Sequence, residues 1–170
     1  MKYIKYLSYL LRHKYYVAVE CFKEELYWRG ITHDASKLLP SEFFPYTNYC
    51  FGHGADIRKV EYKNVCLDDH DSSDKDFNFA WLLHKKRNKH HWQWWVEFDI
   101  NNNLKAQEMR EPYLTEMICD WIGAEKLEGK FSPKDDQYLE VRKWYADHKN
   151  KLLLNEKTRS KIEEKIKWIS

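Results

Sequence analysis

Apolar residues recur at helical spacing along most of this chain, in runs with little glycine or proline to interrupt them. Across 3–27, Ile4, Leu7, Leu11, Ala18 and Phe22 form one apolar stripe, and Tyr6, Leu10, Val17 and Cys21 form an adjoining one. His13 belongs to the second stripe, three residues after Leu10 and four before Val17. The spacing predicts one long helix with an imidazole on an apolar face, where a buried ring needs a partner. Gly30 is placed to end that helix. Thr32 would cap the next one, with His33 and Asp34 in its first turn and Lys37 on the same face. Pro40-Ser41 reads as another helix start, which Pro45 shortens or kinks.

The pattern then changes. Residues 52–76 are polar and irregular, predicting a loop with the length of a lid, in which His53 and His70 fit the loop reading better than a ligand role. A continuous helix over 77–98 would align Trp81, His84, Asn88, His91 and Trp95, with His84 and His91 about 10 Å apart along the axis. That is too far to grip one ion. Either the backbone breaks near Arg87-Asn88 and returns His90 or His91 toward His84, or the histidines serve different metals. Asn101-Asn102-Asn103 is a break, and Pro112 opens a helix with Leu114, Met117, Ile118, Trp121 and Ile122 as its buried stripe. Asp120 sits at the border of that stripe, either solvated or paired inside. Ser132-Pro133 is expected to open a helix through Tyr138, Val141, Trp144 and Tyr145, and a last one runs from about 155 with Ile162, Ile166 and Ile169 spaced four and three apart.

Composition narrows the class. The 170 residues suit one domain, 1–170, and 5 Gly with 4 Pro favour an all-α architecture. One third of the residues are charged and the mean hydropathy is −0.84, which predicts a soluble protein. A formal net charge of +2 argues against a broad polynucleotide-binding surface, leaving a small phosphorylated ligand as the expected partner. Cys21, Cys50, Cys66 and Cys119 show no paired spacing and read as reduced thiols of a cytoplasmic protein. The run Tyr6–Leu11 is cut by Arg12-His13-Lys14, so neither a signal peptide nor a membrane partner is expected.

The candidate chemistry centres on His33-Asp34, an imidazole and a carboxylate on one short piece of backbone, both good ligands for a divalent metal. Lys37 nearby suits a phosphate-bearing substrate. Lys85, Lys86, Arg87 and Lys89, with Asn88, lie among histidines and tryptophans, a composition that a pocket for a phosphorylated aromatic ligand would use. Trp28, Trp81, Trp92 and Tyr46 are candidates for stacking on a base.

The ordered set His13, His33-Asp34, His84, His90-His91, Asp120 resembles the HD superfamily of metal-dependent phosphohydrolases, with pattern H…HD…D and extra histidines in the two-metal members. His33-Asp34-x-x-Lys37 is similar to the HD-x-x-K of several branches, while the GYP extension of the cyclic-dinucleotide branch is absent. The chain also resembles an uncharacterised family of short bacterial and phage proteins through Tyr27–Asp34, Arg87–Trp92 and Cys119–Ala124. The HD resemblance implies a single-domain helical bundle. It implies His13, His33, Asp34 and Asp120 as primary ligands, Asp34 as a bridge, and His84 with His90 or His91 completing a second site. One or two ions of Mn, Fe, Co, Ni or Zn would fit such ligands. Asp34 and Lys37 would be catalytic, with Lys37, Lys85, Lys86, Arg87, Asn88, Lys89 and Trp92 binding substrate. The expected activity is hydrolysis of a nucleoside phosphate or of a cyclic or oligomeric signalling nucleotide. The competing expectations are a nucleotide-capturing protein without turnover and a di-iron oxygenase, since the HD scaffold resembles that of inositol oxygenase.

Overall fold

In a computed structural model, which describes residues 1–52 and 74–168, the chain is a mostly helical domain. The helices are α1 (Lys2–Lys23), α2 (Tyr27–Thr32), α3 (Pro40–Phe51), α4 (Lys75–Arg87), α5 (Glu111–Leu127), α6 (Leu139–His148) and α7 (Glu156–Lys165). Short 3-10 turns occupy Ala35–Leu38 and Trp92–Trp95, and one antiparallel hairpin pairs β1 (Val96–Phe98) with β2 (Leu104–Ala106). The expected lid, with His53, His70 and Cys66, lies outside the described residues except at its ends.

The first helix stops sooner than the periodicity predicts. After Lys23 the backbone turns, with Glu25 in the left-handed region at φ 60 and the Leu26 N–H bonded to the Cys21 carbonyl. Gly30 ends nothing: it lies within α2, pressed on α1, and a Cβ there would come within 3.0 Å of Cys21 Cβ and 3.1 Å of Ala18 Cα. Thr32 is no cap either, its hydroxyl bonding back to the Trp28 carbonyl. Of the two stripes on α1, Tyr6, Leu10, His13, Val17 and Cys21 are buried, whereas Ile4, Leu7, Leu11 and Phe22 face outward.

The crossing of α1 on α5 does most to place the site. Gly123 makes it possible: a Cβ at that position would sit 2.5 Å from Val17 Cγ2 and 3.1 Å from the Val17 backbone nitrogen, which cannot yield. Val17 is one turn from His13 and Gly123 nearly one turn from Asp120, so the close approach brings those two side chains together. Further along, Ser132-Pro133 does not open a helix. The α6 helix starts at Leu139, and the Ser132 hydroxyl accepts the Glu140 N–H.

The core has two main parts. Tyr6, Leu10, Tyr46, Tyr49, Phe77 and Trp81 pack α1, α3 and α4 together. Met109, Leu114, Ile118, Trp121, Val141, Trp144, Tyr145 and Ile162 pack α5, α6 and α7. A smaller cluster of Val17, Cys21 and Cys119 joins α1 to α5. Among the described residues no helix is long and apolar enough to cross a membrane.

Candidate metal centre

His33 and Asp34 occupy a link instead of a helical turn. His33 caps the C-terminus of α2 with ψ 130, and Asp34 takes the left-handed conformation at φ 51 before the Ala35–Leu38 turn. A non-glycine residue held at positive φ is uncommon, and such strain concentrates at functional sites. It separates the two side chains, so that both are buried at 1% exposure.

The break anticipated near Arg87-Asn88 is present, since α4 ends at Arg87. Asn88 is extended, and its side-chain amide donates to the Ser36 hydroxyl and to the His84 carbonyl. The chain returns, bringing both His90 and His91 beside His84: ring centroids are 4.7 Å apart for His84 and His91, and 4.3 Å for His90 and His91.

Besides the group that His33 and His90 make with Glu116, the buried donors fall into two sets, His13, His33 and Asp120 on one side and Asp34, His84, His90 and His91 on the other. His13 Nε2 lies 2.9 Å from Asp120 Oδ1, and His33 Nε2 lies 3.4 Å from the same oxygen and 3.7 Å from Asp34 Oδ2. On the other side, Asp34 Oδ1 is 3.3 Å from His84 Nε2 and 3.4 Å from His90 Nε2, with His91 in the same cluster. Two ligands about 2.1 Å from one ion and at tetrahedral or octahedral angles stand roughly 3.0–3.4 Å apart, so most of these separations are those of a coordination sphere. The Nε2 atoms of His33, His84, His90 and His91, and Oδ1 of Asp34, are buried without a well-formed hydrogen bond among the described residues. Buried polar atoms are normally satisfied. These buried groups could hold a metal ion.

A surrounding ring of carboxylates sets the imidazoles. Glu116 Oε1 accepts from Nδ1 of His33 at 3.1 Å and from Nδ1 of His90 at 3.2 Å, and Glu42 Oε2 accepts from Nδ1 of His84 at 2.9 Å. An ionised carboxylate can only accept, so each of these Nδ1 atoms carries a proton and each Nε2 is left facing the centre. Cations hold the carboxylates in turn: Arg29 donates to Glu116 at 2.9 Å while lying 3.9 Å over the Tyr113 ring, and Arg87 donates to Glu42 at 2.6 Å. Lys37, also buried, is 2.7 Å from Asp34 Oδ2, and Lys14 donates to the His33 carbonyl.

The charges follow from these contacts. Burial would raise the Asp34 carboxyl, but Lys37, His33 and His84 outweigh it and hold it well below the usual range. Asp120 is likewise buried and likewise held down, by His33 and His13. Burial opposes ionisation of Glu116 too, yet the hydrogen bonds from His33 and His90 bring it down to about 2. Burial lowers His33, but Asp34 and Asp120 raise it well above the ordinary imidazole value; His91, buried beside His90 and His84, is pushed well below it. An anionic Asp34 and Asp120 with a neutral His91 are the forms that bind a cation.

Each metal-ligand candidate from the sequence, His13, His33, Asp34, His84, His90, His91 and Asp120, therefore lies in this cluster. The substrate-binding candidates scatter more. Lys37 is inside, on Asp34. Arg87 and Asn88 stand behind His84, on Glu42, Ser41 and Ser36. Lys85 lies over Trp81 and Lys89 over Trp94, Lys86 is exposed, and Trp92 packs half-buried on the C-terminal core. Of the stacking candidates, Trp28 is 75% exposed while Tyr46 and Trp81 are core. Glu42, Glu116, Arg29 and Lys14 were not singled out from the sequence. Glu116 did carry a signal, standing one turn before Asp120 on the same face of α5, a second acid on a largely apolar surface.

The chain belongs to DUF5662, a family of unknown function, which it matches over residues 2–168. No curated protein and no solved structure matches it.

Proposed function

We propose that this protein is a metal-dependent phosphohydrolase of HD type acting on a small nucleotide, a nucleoside phosphate or a cyclic or oligomeric signalling nucleotide. The observation that carries the reading is Asp34, with one carboxylate oxygen toward His33 and the other 3.3–3.4 Å from His84 and His90. His13, His33, Asp34 and Asp120 would hold one divalent transition ion, and Asp34, His84, His90 and His91 a second. Bound there, such ions draw charge from a phosphoryl oxygen and make water a nucleophile near neutral pH.

The chain's own residues do the rest. Glu116 and Glu42 keep the imidazoles oriented, so the donor set is formed before any ligand arrives. Lys37 supplies a fixed positive charge at Asp34, where a phosphate oxygen would be drawn. Lys89, lying over the part-exposed ring of Trp94, would favour a ligand that joins phosphate to a flat base. A second reading, an iron-dependent oxygenase, draws support from five histidines clustered with Asp34 and Asp120, which suit iron better than magnesium. Visible absorbance and stoichiometric iron in the purified protein would favour it.

Elemental analysis of the purified protein comes first, then phosphate release from nucleoside mono- and triphosphates, cyclic dinucleotides and short single strands, each with Mn, Fe, Co, Ni, Zn and Mg. One substrate class should turn over, and Asp34→Ala should remove both the metal and the turnover, a loss of about 10³-fold or more. Tight binding of one nucleotide with no turnover under any metal would replace the enzyme by a capture protein.

A further inference from the structure

The sequence puts two apolar stripes on α1, and the fold covers one. On the other, Ile4 is 74% exposed, Leu11 53% and Tyr15 66%, far from the side that carries His13. Ile4, Leu7, Ser8 and Leu11 stand at i, i+3, i+4 and i+7, the four-residue frame that receives one knob of a packed helix. Ser8, Leu11, Arg12 and Tyr15 repeat the frame one turn on, and together with Tyr16 these residues line an open groove of about 450 Å³. The groove thus runs along the uncovered face of α1 and is open along its length.

We propose that its occupant is α1 of a second copy, the two helices crossing antiparallel about a two-fold axis between Ser8 and Leu11. Each Leu11 would then sit over Ser8 of the other copy. An isologous interface needs a patch holding both knob and hole, and this one does. The small Ser8 beside Leu11 and Tyr15 suits the roughly 8–10 Å axial separation of packed helices. The area is adequate. Tyr3, Ile4, Leu7, Leu11, Tyr15 and the neighbouring Phe44 expose on the order of 600 Å² per copy, or about 1,200 Å² per pair, the lower end of specific interfaces.

The flanking charges make the proposal sharp. Lys5 and Arg12 border the stripe, and residues 1–19 include no carboxylate. Two copies therefore bring like charges together, so added salt should tighten the dimer, whereas it would weaken attachment to an acidic protein or an anionic membrane. The inference does not depend on the chemistry proposed for the metal centre.

Sedimentation velocity of the full chain from about 1 to about 500 μM tests it. The expected result is a reversible dimer that tightens between about 0.1 and 0.5 M NaCl. Leu11→Lys should weaken association at least 100-fold while leaving the circular dichroism and melting temperature unchanged, and Tyr15→Lys serves if Leu11→Lys fails to fold. A monomer throughout the range, a dimer indifferent to both substitutions, or a dimer loosened by salt would overturn the proposal. So would a monomeric chain that binds phosphatidylserine vesicles through this face.

Discussion

The metal centre and the α5–α6–α7 core are buried to the same degree and treat their polar groups in opposite ways. In the core the polar groups close on one another. The Tyr145 hydroxyl donates to Glu163 at 3.0 Å and accepts from Arg159, whose guanidinium also caps the Lys149 and Leu152 carbonyls. Thr158 accepts the Met109 N–H at 2.9 Å, and Arg142 reaches the Ile166 carbonyl. In the centre the Nδ1 atoms of His33, His84 and His90 are tied to carboxylates, yet the inner atoms, the Nε2 of these three and of His91 with Asp34 Oδ1, are left over. Leaving a buried polar group unsatisfied costs about 1–3 kcal/mol, so five in one small volume would be a heavy burden on an ordinary core. A core that completes its own hydrogen bonds is built for stability. One that completes only the outer half could hold a metal ion.

The contrast can be broken from the stable side first. Trp144→Ala removes a ring packed 4.7 Å from that of Trp121, and should lower unfolding free energy by about 3–5 kcal/mol while metal per chain stays as in the wild type. Loss of metal in the folded variant would show that the two regions are not separable. Chelation does the reverse. An ion present at a hundredfold excess over its Kd adds about 2.7 kcal/mol to the folded state, roughly 5–10 °C in a domain of this size. Stripping the metal should lower the melting temperature by that amount and manganese should restore it; an unchanged melt argues against a site of useful affinity.

Glu116→Gln tests the outer ring. Oε1 accepts from His33 and His90 at once and Oε2 accepts from Arg29, so an amide must turn its NH₂ either to the two imidazoles or to the guanidinium, and the grip on the imidazoles loosens. Metal affinity, read by competition with a chromogenic chelator, should fall about 10- to 100-fold with the fold intact. Arg87→Ala should act in the same direction through Glu42, and if it weakened only nucleotide binding the guanidinium would have to be facing substrate instead.

The smallest effect belongs to Tyr145. Burial and the bond to Glu163 push its hydroxyl up to about 12. A phenol raised above its unfolded value of about 10 contributes stability that is present below pH 10 and is lost as pH rises toward 12. Alkaline melts should show this step in the wild type and lack it in Tyr145→Phe, with metal content equal in both.

By itself the sequence determined most of the helices, because apolar periodicity and proline at helix starts are local. It also determined which residue types could bind a metal, because imidazoles and carboxylates announce themselves. The helix break at Arg87 could be argued in advance from one distance, the span between His84 and His91. Tertiary structure alone decided the rest. Which stripe of α1 is buried depends on what packs against it, and Ile4 and Leu11 are no less apolar than Tyr6 and Leu10. Gly30 and Gly123 read as ordinary helix residues or terminators until the helices they admit are in place. Glu42 and Glu116 look like any surface acids until the imidazoles of His33, His84 and His90 are arranged around them, since a buried charge is defined by its partners and those come from distant segments of the chain.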